Sequence, residues 1–241
     1  MNTGRSVYKM PTHFLMEKPD INEVHLNILL LGRPQSGKSA TGNILLGSYE
    51  FESRLSLGSV TQSCELCQGR FSSFFRRNGR EATLCVNILD TPAFPHSYLK
   101  ASEVKNDIHE ALLEKFQRGL DAVVLVLRAD VAFSEEDFKC IQLAEELLDF
   151  EWRNYFYIIF THHDRFEENG LKLEEQLSNA PRALKVLLES AKNRYHFVNS
   201  VAPWLHAEGR PVLEKLLSLS QQNKYKSLKF KPSASSLQHT G

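Results

Sequence analysis

The stretch Leu26 to Gly47, LNILLLGRPQSGKSATGNILLG, decides the fold of this chain. An apolar run from Leu26 to Leu31 enters Gly32-Arg33-Pro34-Gln35-Ser36-Gly37-Lys38-Ser39, which fits the phosphate-binding pattern G-x-x-x-x-G-K-S/T, and a helix-compatible segment follows. Strand, loop and helix stand in the order the pattern requires. A nucleoside triphosphate accounts for the residue types. The two glycines permit a tight turn and a close approach of backbone to phosphate. The N–H groups from Gln35 to Ser39 can then point at the phosphates, at the positive end of the next helix. Pro34 has no N–H to give, but it precedes that run of amides. Lys38 supplies a point charge, and the Ser39 hydroxyl is placed to ligate a Mg²⁺ that bridges phosphate oxygens.

With 241 residues and 42% hydrophobic composition, the chain suits one sizeable α/β domain with short extensions. Lys+Arg and Asp+Glu are equal at 29 each, so no overall field draws the protein to nucleic acid or to an anionic membrane. Residues 1–20 lack the apolar core of a signal peptide, and the four cysteines then imply a reduced, cytoplasmic setting. Cys64-Glu-Leu-Cys67 has metal-ligand spacing, yet no second pair completes a site, and residues three apart in a strand face opposite sides.

Taken in order, residues 1–23 read as a flexible lead-in, 24–222 as the domain and 223–241 as a disordered tail carrying Lys224, Lys226, Lys229 and Lys231. Ser48 to Val60 is a polar connection without periodicity, closed by Thr61. A strand from Thr61 to about Phe71 and another from Glu81 to Leu89 flank a turn at Asn78-Gly79 and deliver Asp90. Asp90 at a strand end is where a carboxylate reaches the metal. Residues 94–103 read as a mobile loop before a helix over Glu103 to Arg118. Asp121 to Leu127 and Tyr155 to Phe160 are near-continuous apolar strands, the kind that lies buried in a parallel sheet. Between them, Ser134-Glu135-Glu136-Asp137 opens a helix with a favourable cap and first-turn acids.

Thr161-His162-His163-Asp164 ends the second of those strands. A carboxylate there can accept from both the N1–H and the N2–H₂ of guanine, a donor pair that adenine lacks. The two histidines could form a metal pair, but sequence neighbours at a strand end rarely converge on one ion. A helix broken near Pro181, a short strand from Tyr195 to Val198 leading to Asn199, and a helix from Glu208 to Ser220 complete the domain. No apolar span and no prenylation box is present, so no membrane anchor is expected.

The order of these motifs is that of a guanine-nucleotide-binding domain: an α/β, three-layer P-loop NTPase G domain with a mostly parallel central sheet and helices on both faces. The details are closer still. Gly37-Lys38-Ser39-Ala40-Thr41-Gly42-Asn43, Phe51-Glu52-Ser53, Ser59-Val60-Thr61, Leu127-Arg128-Ala129 with Phe133-Ser134-Glu135-Glu136-Asp137, Phe160-Thr161, and Arg194-Tyr195 with Asn199 resemble the GTPase IMAP family. That family is the immunity-associated branch of the septin and chloroplast-translocon type GTPases.

The resemblance implies GTP or GDP bound with Mg²⁺ by Gln35, Ser36, Gly37, Lys38, Ser39 and Ala40, with Thr61 sensing the γ-phosphate. Ser39, Thr61 and Asp90 would serve the metal, Asp164 would read guanine, His162 would flank the base and Asn199 would mark the loop closing over it. It further implies action through a homodimer or a protein partner. Two departures bear on hydrolysis. The family's Asp-x-x-Gly is Asp90-Thr91-Pro92-Ala93 here, and the next position, a water-orienting Gln in other GTPases, is Phe94. Alanine keeps the N–H but narrows the backbone angles. Val131 and Ala132 also replace a usual Gly-Arg pair. The leading reading is a GTP-binding protein with weak or absent intrinsic hydrolysis. A GTPase stimulated by dimerisation is the alternative, and a P-loop small-molecule kinase is disfavoured by Asp164 and by the lack of an Arg-rich lid.

Overall fold

A computed structural model describes residues 22–53, 61–164 and 173–231. The expected lead-in up to residue 21 and the end of the tail lie outside the described residues. The elements run β1 Glu23–Leu31, α1 Lys38–Leu46, β2 Glu65–Arg77, β3 Arg80–Asp90, α2 Ala101–Lys115, β4 Ala122–Arg128, α3 Glu135–Leu147, a 3₁₀ turn Phe150–Tyr155 and β5 Phe156–Thr161. They continue through α4 Leu173–Ser178, α5 Arg182–Ser190, β6 Tyr195–Phe197 and α6 Leu205–Gln222.

The strands form one sheet in the order β2-β3-β1-β4-β5-β6. β1 pairs in parallel with β3 on one side and β4 on the other, β5 and β6 continue in parallel, and β2 alone runs antiparallel, against β3. Residue alternation explains the layering. Leu29, Leu31, Val123, Leu125, Ile158 and Phe160 face one side and pack with α2, α3 and α5. Leu26, Ile28, Leu30, Val124, Val126 and Ile159 face the other side and pack with α1 and α6. β4 and β5 are apolar on both faces because both faces are covered. Full burial of each such side chain stabilises the fold by about 1.5–3 kcal/mol. Cys64 and Cys67 pack against opposite layers, as their spacing in an extended chain demands.

Besides shifts of two or three residues, as at α2, which spans Ala101–Lys115 rather than Glu103 to Arg118, three larger differences from the sequence reading stand out. β2 starts later and continues to Arg77, because an irregularity between Phe71 and Phe75, with Ser73 at φ 52°, absorbs the polar Ser72-Ser73 step without ending the strand. The hairpin then turns at Asn78 and Gly79, both at positive φ (51° and 76°), as a tight two-residue turn needs. α6 begins at Leu205, a turn before Glu208, with Pro211 inside it; a proline there reads from sequence as a first-turn residue.

The third is the tail. Residues 223–231 do not trail off as expected but return along the domain. Leu120 and Leu228 exchange backbone hydrogen bonds at 3.0 and 2.7 Å, and Lys231 N–H donates to Leu147 O at 3.0 Å. Leu228 is buried in the α2/α3 layer and Phe230 packs beside it, which the surrounding Lys and Ser disguise.

Candidate functional site

The loops after β1, β3, β4, β5 and β6 all leave from one edge of the sheet, because these strands are parallel. β1 sits where the strand order turns in both directions, the position at which open α/β sheets form their ligand crevice. The predicted phosphate loop follows β1 there. Gly37 adopts φ 90° at the start of α1, a left-handed conformation that side chains disfavour, and Gln35 lies at φ 59°. Thr161, at the end of β5, donates its hydroxyl to Ser36 O at 2.7 Å, tying the loop to the strand that carries the expected base reader.

Lys38 is buried and its Nζ donates to Gly32 O at 3.1 Å. Burial pulls its pKa down, against the opposing pull of Asp90. Asp90 is buried as well, and burial pushes its carboxyl up, against Lys38 and the hydroxyls of Ser39 and Thr61. An anion meeting Lys38 and a cation meeting Asp90 would relieve both penalties.

Ser39, Thr61 and Asp90 converge. Ser39 Oγ donates to Asp90 Oδ2 at 2.6 Å, Thr61 Oγ1 lies 3.4 Å from the same oxygen, and the two hydroxyls are 3.4 Å apart. Asp90 Oδ1 is buried without a hydrogen-bond partner among the described residues. Three hard oxygen donors with an orphaned carboxylate oxygen fit Mg²⁺.

Asp164 stands three residues past β5 and Asn199 two past β6, so the base-side candidates occupy adjacent loops. His162 takes φ 60°, with Nδ1 2.9 Å from Thr161 Oγ1. Asn199 N–H donates to Glu208 Oε1 at 2.7 Å, and its own Oδ1 accepts from Val201 N–H at 2.9 Å. Glu208 lies in the first turn of α6, and its neighbour Gly209 rests on α1 so closely that a Cβ there would fall 2.0 Å from Ile44 O.

The block after β4 that carries part of the family resemblance also acquires a physical role. Asp137 accepts from Ser134 N–H and Oγ at 2.9 and 2.8 Å, capping α3, and pairs with Arg33 of the phosphate loop at 3.2 Å. Asn43, on α1, fixes the start of the loop that leads to Thr61. Its Oδ1 accepts from Glu50 and Phe51 N–H at 2.9 and 2.8 Å, and its Nδ2 donates to Phe51 O at 3.0 Å.

Phe94 is held by three contacts. Its N–H donates to Gly32 O at 3.1 Å, its carbonyl accepts from Cys140 Sγ at 2.9 Å, and its ring packs against the α2/α3 layer. It therefore cannot orient water. His96, which the sequence reading did not single out, turns back from the same loop to Thr61; the signal lies only in the fold.

Other candidate ligand groups are not drawn together. Among the described residues neither Cys64 with Cys67 nor His162 with His163 belongs to a metal-type cluster, and the group that forms is Glu23, His25 and Cys85 on β1 and β3. Arg70 occupies that place, pairing with Glu23 and lying 3.5 Å from Cys85 Sγ. A cavity of about 310 Å³ opens beside the site, lined by Arg128, Phe133, Phe160, Leu184 and Phe197, and no expected nucleotide contact lines it. No helix of the described residues is long and apolar enough to cross a membrane.

Residues 26–235 match the AIG1 family. Immune-associated nucleotide-binding protein 4 of Arabidopsis thaliana is 31% identical over 180 residues, covering 73% of this chain and 51% of that protein. Immune-associated nucleotide-binding protein 7 of the same plant is 29% identical over 196 residues, covering 80% and 59%. The chain thus spans little more than half the length of these relatives. Toc33 from Arabidopsis thaliana in complex with GDP and Mg²⁺ has the same fold, with a TM-score of 0.59 at 18% identity over 88% of this chain and 89% of that one. A further Toc structure, for which dimerization is described as important for the GTPase activity of atToc33 and psToc159, gives a TM-score of 0.55 at 16% identity over 81% of this chain and 83% of that one. The family match runs from β1 beyond the returning segment at 223–231 and takes in every motif that suggested the IMAP resemblance, and the chain belongs to the AIG1 family.

Proposed function

We propose that this protein binds GTP and GDP with Mg²⁺ and acts through nucleotide-dependent association with a second copy of itself or with a protein partner. The convergence of Ser39, Thr61 and Asp90 on one point beside Lys38 carries this reading. In it, the amides of Gln35 to Ala40 cradle phosphate, Lys38 exchanges its Gly32 contact for phosphate oxygen, and the three oxygen ligands hold the metal. Bound Mg²⁺ supplies neutralisation of the phosphate charge. Asp164 accepts from the guanine edge, with His162 and Asn199 bordering the base. The free state of the four cysteines supports a cytoplasmic setting.

Hydrolysis by the single chain is slow in this reading, on the order of 10⁻⁴ per second as in unassisted GTPases. Phe94 is partly buried with its ring against the α2/α3 layer and Ala93 is buried, and neither has a polar side chain to orient a water. A second copy that accelerates turnover is the competing reading, favoured by the Toc structure in which dimerization is described as important for GTPase activity.

The test is thermal unfolding with GDP, GTP, ATP or XTP, each with Mg²⁺, for the wild type and Asp164→Asn. A ligand that binds only the native state raises its apparent stability. GDP and GTP should stabilise the wild type and ATP should not. Asp164→Asn should shift the preference toward XTP, because the amide offers a donor to the O2 of xanthine. Stabilisation by ATP equal to that by GTP, or an Asp164→Asn protein that still prefers GTP over XTP, would overturn the assignment.

A further inference from the structure

We infer that His96 positions the attacking water for GTP hydrolysis, in the role that Phe94 cannot fill; this rests on the guanine-nucleotide reading above. The anchoring of Phe94 at both its N–H and its carbonyl fixes where the loop reverses, and the next residues bring the His96 ring to Thr61, 35 residues away in sequence. Nε2 of His96 lies 3.4 Å from Thr61 O. Nδ1 accepts from Tyr98 N–H at 3.1 Å and from Leu99 N–H at 3.0 Å. With Nδ1 committed as an acceptor, the neutral ring carries its proton on Nε2, which makes Nε2 a donor facing the Thr61 carbonyl.

Thr61 connects this ring to the metal-binding group. Its hydroxyl lies 3.4 Å from both Ser39 Oγ and Asp90 Oδ2, while its carbonyl faces His96. The Nε2 contact is longer than a settled hydrogen bond, and opening it by roughly 1 Å lets one water accept from Nε2–H and donate to Thr61 O. That water has a second proton for a γ-phosphate oxygen and one lone pair left for phosphorus. In the step, the bond from water oxygen to γ-phosphorus forms and the bond to the β,γ-bridging oxygen breaks. The bridging oxygen leaves with the electron pair as part of GDP. The water's protons pass to phosphate oxygens, and His96 keeps its own proton throughout.

A loop-bracing role alone would also explain the two bonds at Nδ1, and two substitutions separate the accounts. His96→Asn keeps an acceptor near the Nδ1 position and loses the reach of Nε2. His96→Gln does the opposite. The measurement is single-turnover GTP hydrolysis with Mg²⁺ and protein in excess, with GTP and GDP affinity determined separately by a fluorescent nucleotide. His96→Asn should bind nucleotide as the wild type does and hydrolyse it at least about tenfold more slowly, whereas His96→Gln should stay within about threefold of the wild-type rate. Equal rates in His96→Asn and wild type would overturn the inference. So would a loss in His96→Gln as large as in His96→Asn, or a wild type that binds GTP without any turnover. Failure of the wild type to bind GTP would instead remove the guanine-nucleotide reading, and this role for His96 with it.

Discussion

The Ser39 hydroxyl and the Asp90 carboxylate, 51 residues apart in sequence, meet at 2.6 Å. This contact joins the first turn of α1 to the end of β3. Replacing Ser39 by Ala removes this charge-assisted hydrogen bond, a loss of about 1.5–3 kcal/mol, and in the proposed reading it also removes one ligand of the metal. Nucleotide affinity of Ser39→Ala, by calorimetry, should fall about tenfold or more with Mg²⁺ present and little in EDTA. Lys38→Ala should abolish binding in both conditions. Identical Mg²⁺ dependence in the wild type and Ser39→Ala would show that the metal is held elsewhere.

Asn43 gives a prediction about the fold itself. Its buried side chain satisfies two N–H groups and one carbonyl at the start of the loop to Thr61. Truncation leaves the N–H and carbonyl of buried Phe51 without their partner, so Asn43→Ala should lower stability by about 2–3 kcal/mol. Urea unfolding is the measurement, with the midpoint moving and the slope unchanged. A loss below about 0.5 kcal/mol would mean that the loop finds other partners, since that is the range of ordinary surface changes.

His196 predicts a pH dependence. Burial, together with Lys215 and His163, pulls its pKa from 6.5 down to about 4, and Lys215 Nζ donates to its Nδ1 at 2.8 Å. The folded state therefore keeps the ring neutral while the unfolded chain protonates it below about pH 6.5. The unfolded state binds more protons in that window, so this stabilisation is complete above pH 6.5 and is lost as pH falls toward 4. Because the ring is only half-buried, solvent screening reduces the effect between pH 7 and 5 to about 1 kcal/mol. Denaturant midpoints at the two pH values should differ more for the wild type than for His196→Gln. Equal differences would assign the acid sensitivity to other groups.

The elements that hold the site were legible because their side chains have one environment each. β4 and β5 are buried on both faces and read as unbroken apolar runs, and the phosphate loop follows its strand at a fixed spacing. Ser39 and Asp90 could be named because one belongs to the phosphate-loop pattern and the other ends a strand, whereas Thr61, in a connection without periodicity, was named through the family resemblance. His96 could not, since its partner is an atom 35 residues away, brought near by the pinning of Phe94. The 223–231 segment was missed for a different reason: two apolar residues, Leu228 and Phe230, decide its course within a polar composition. The meeting of Arg33 with Asp137 was equally hidden, because ion pairing across loops leaves no periodic trace.

The first turn of α6 touches both halves of the site, through Glu208 to Asn199 and through Gly209 to the backbone of α1. It acts as a calliper. In the proposed reading, the span between the phosphate loop and the loop of Asn199 is held by helix backbone seated on helix backbone, at Gly209 and Ile44, which does not repack by rotamer changes. The same seat is a lever: a displacement of α1 at Ile44 presses directly on the helix turn whose Glu208 holds the Asn199 N–H.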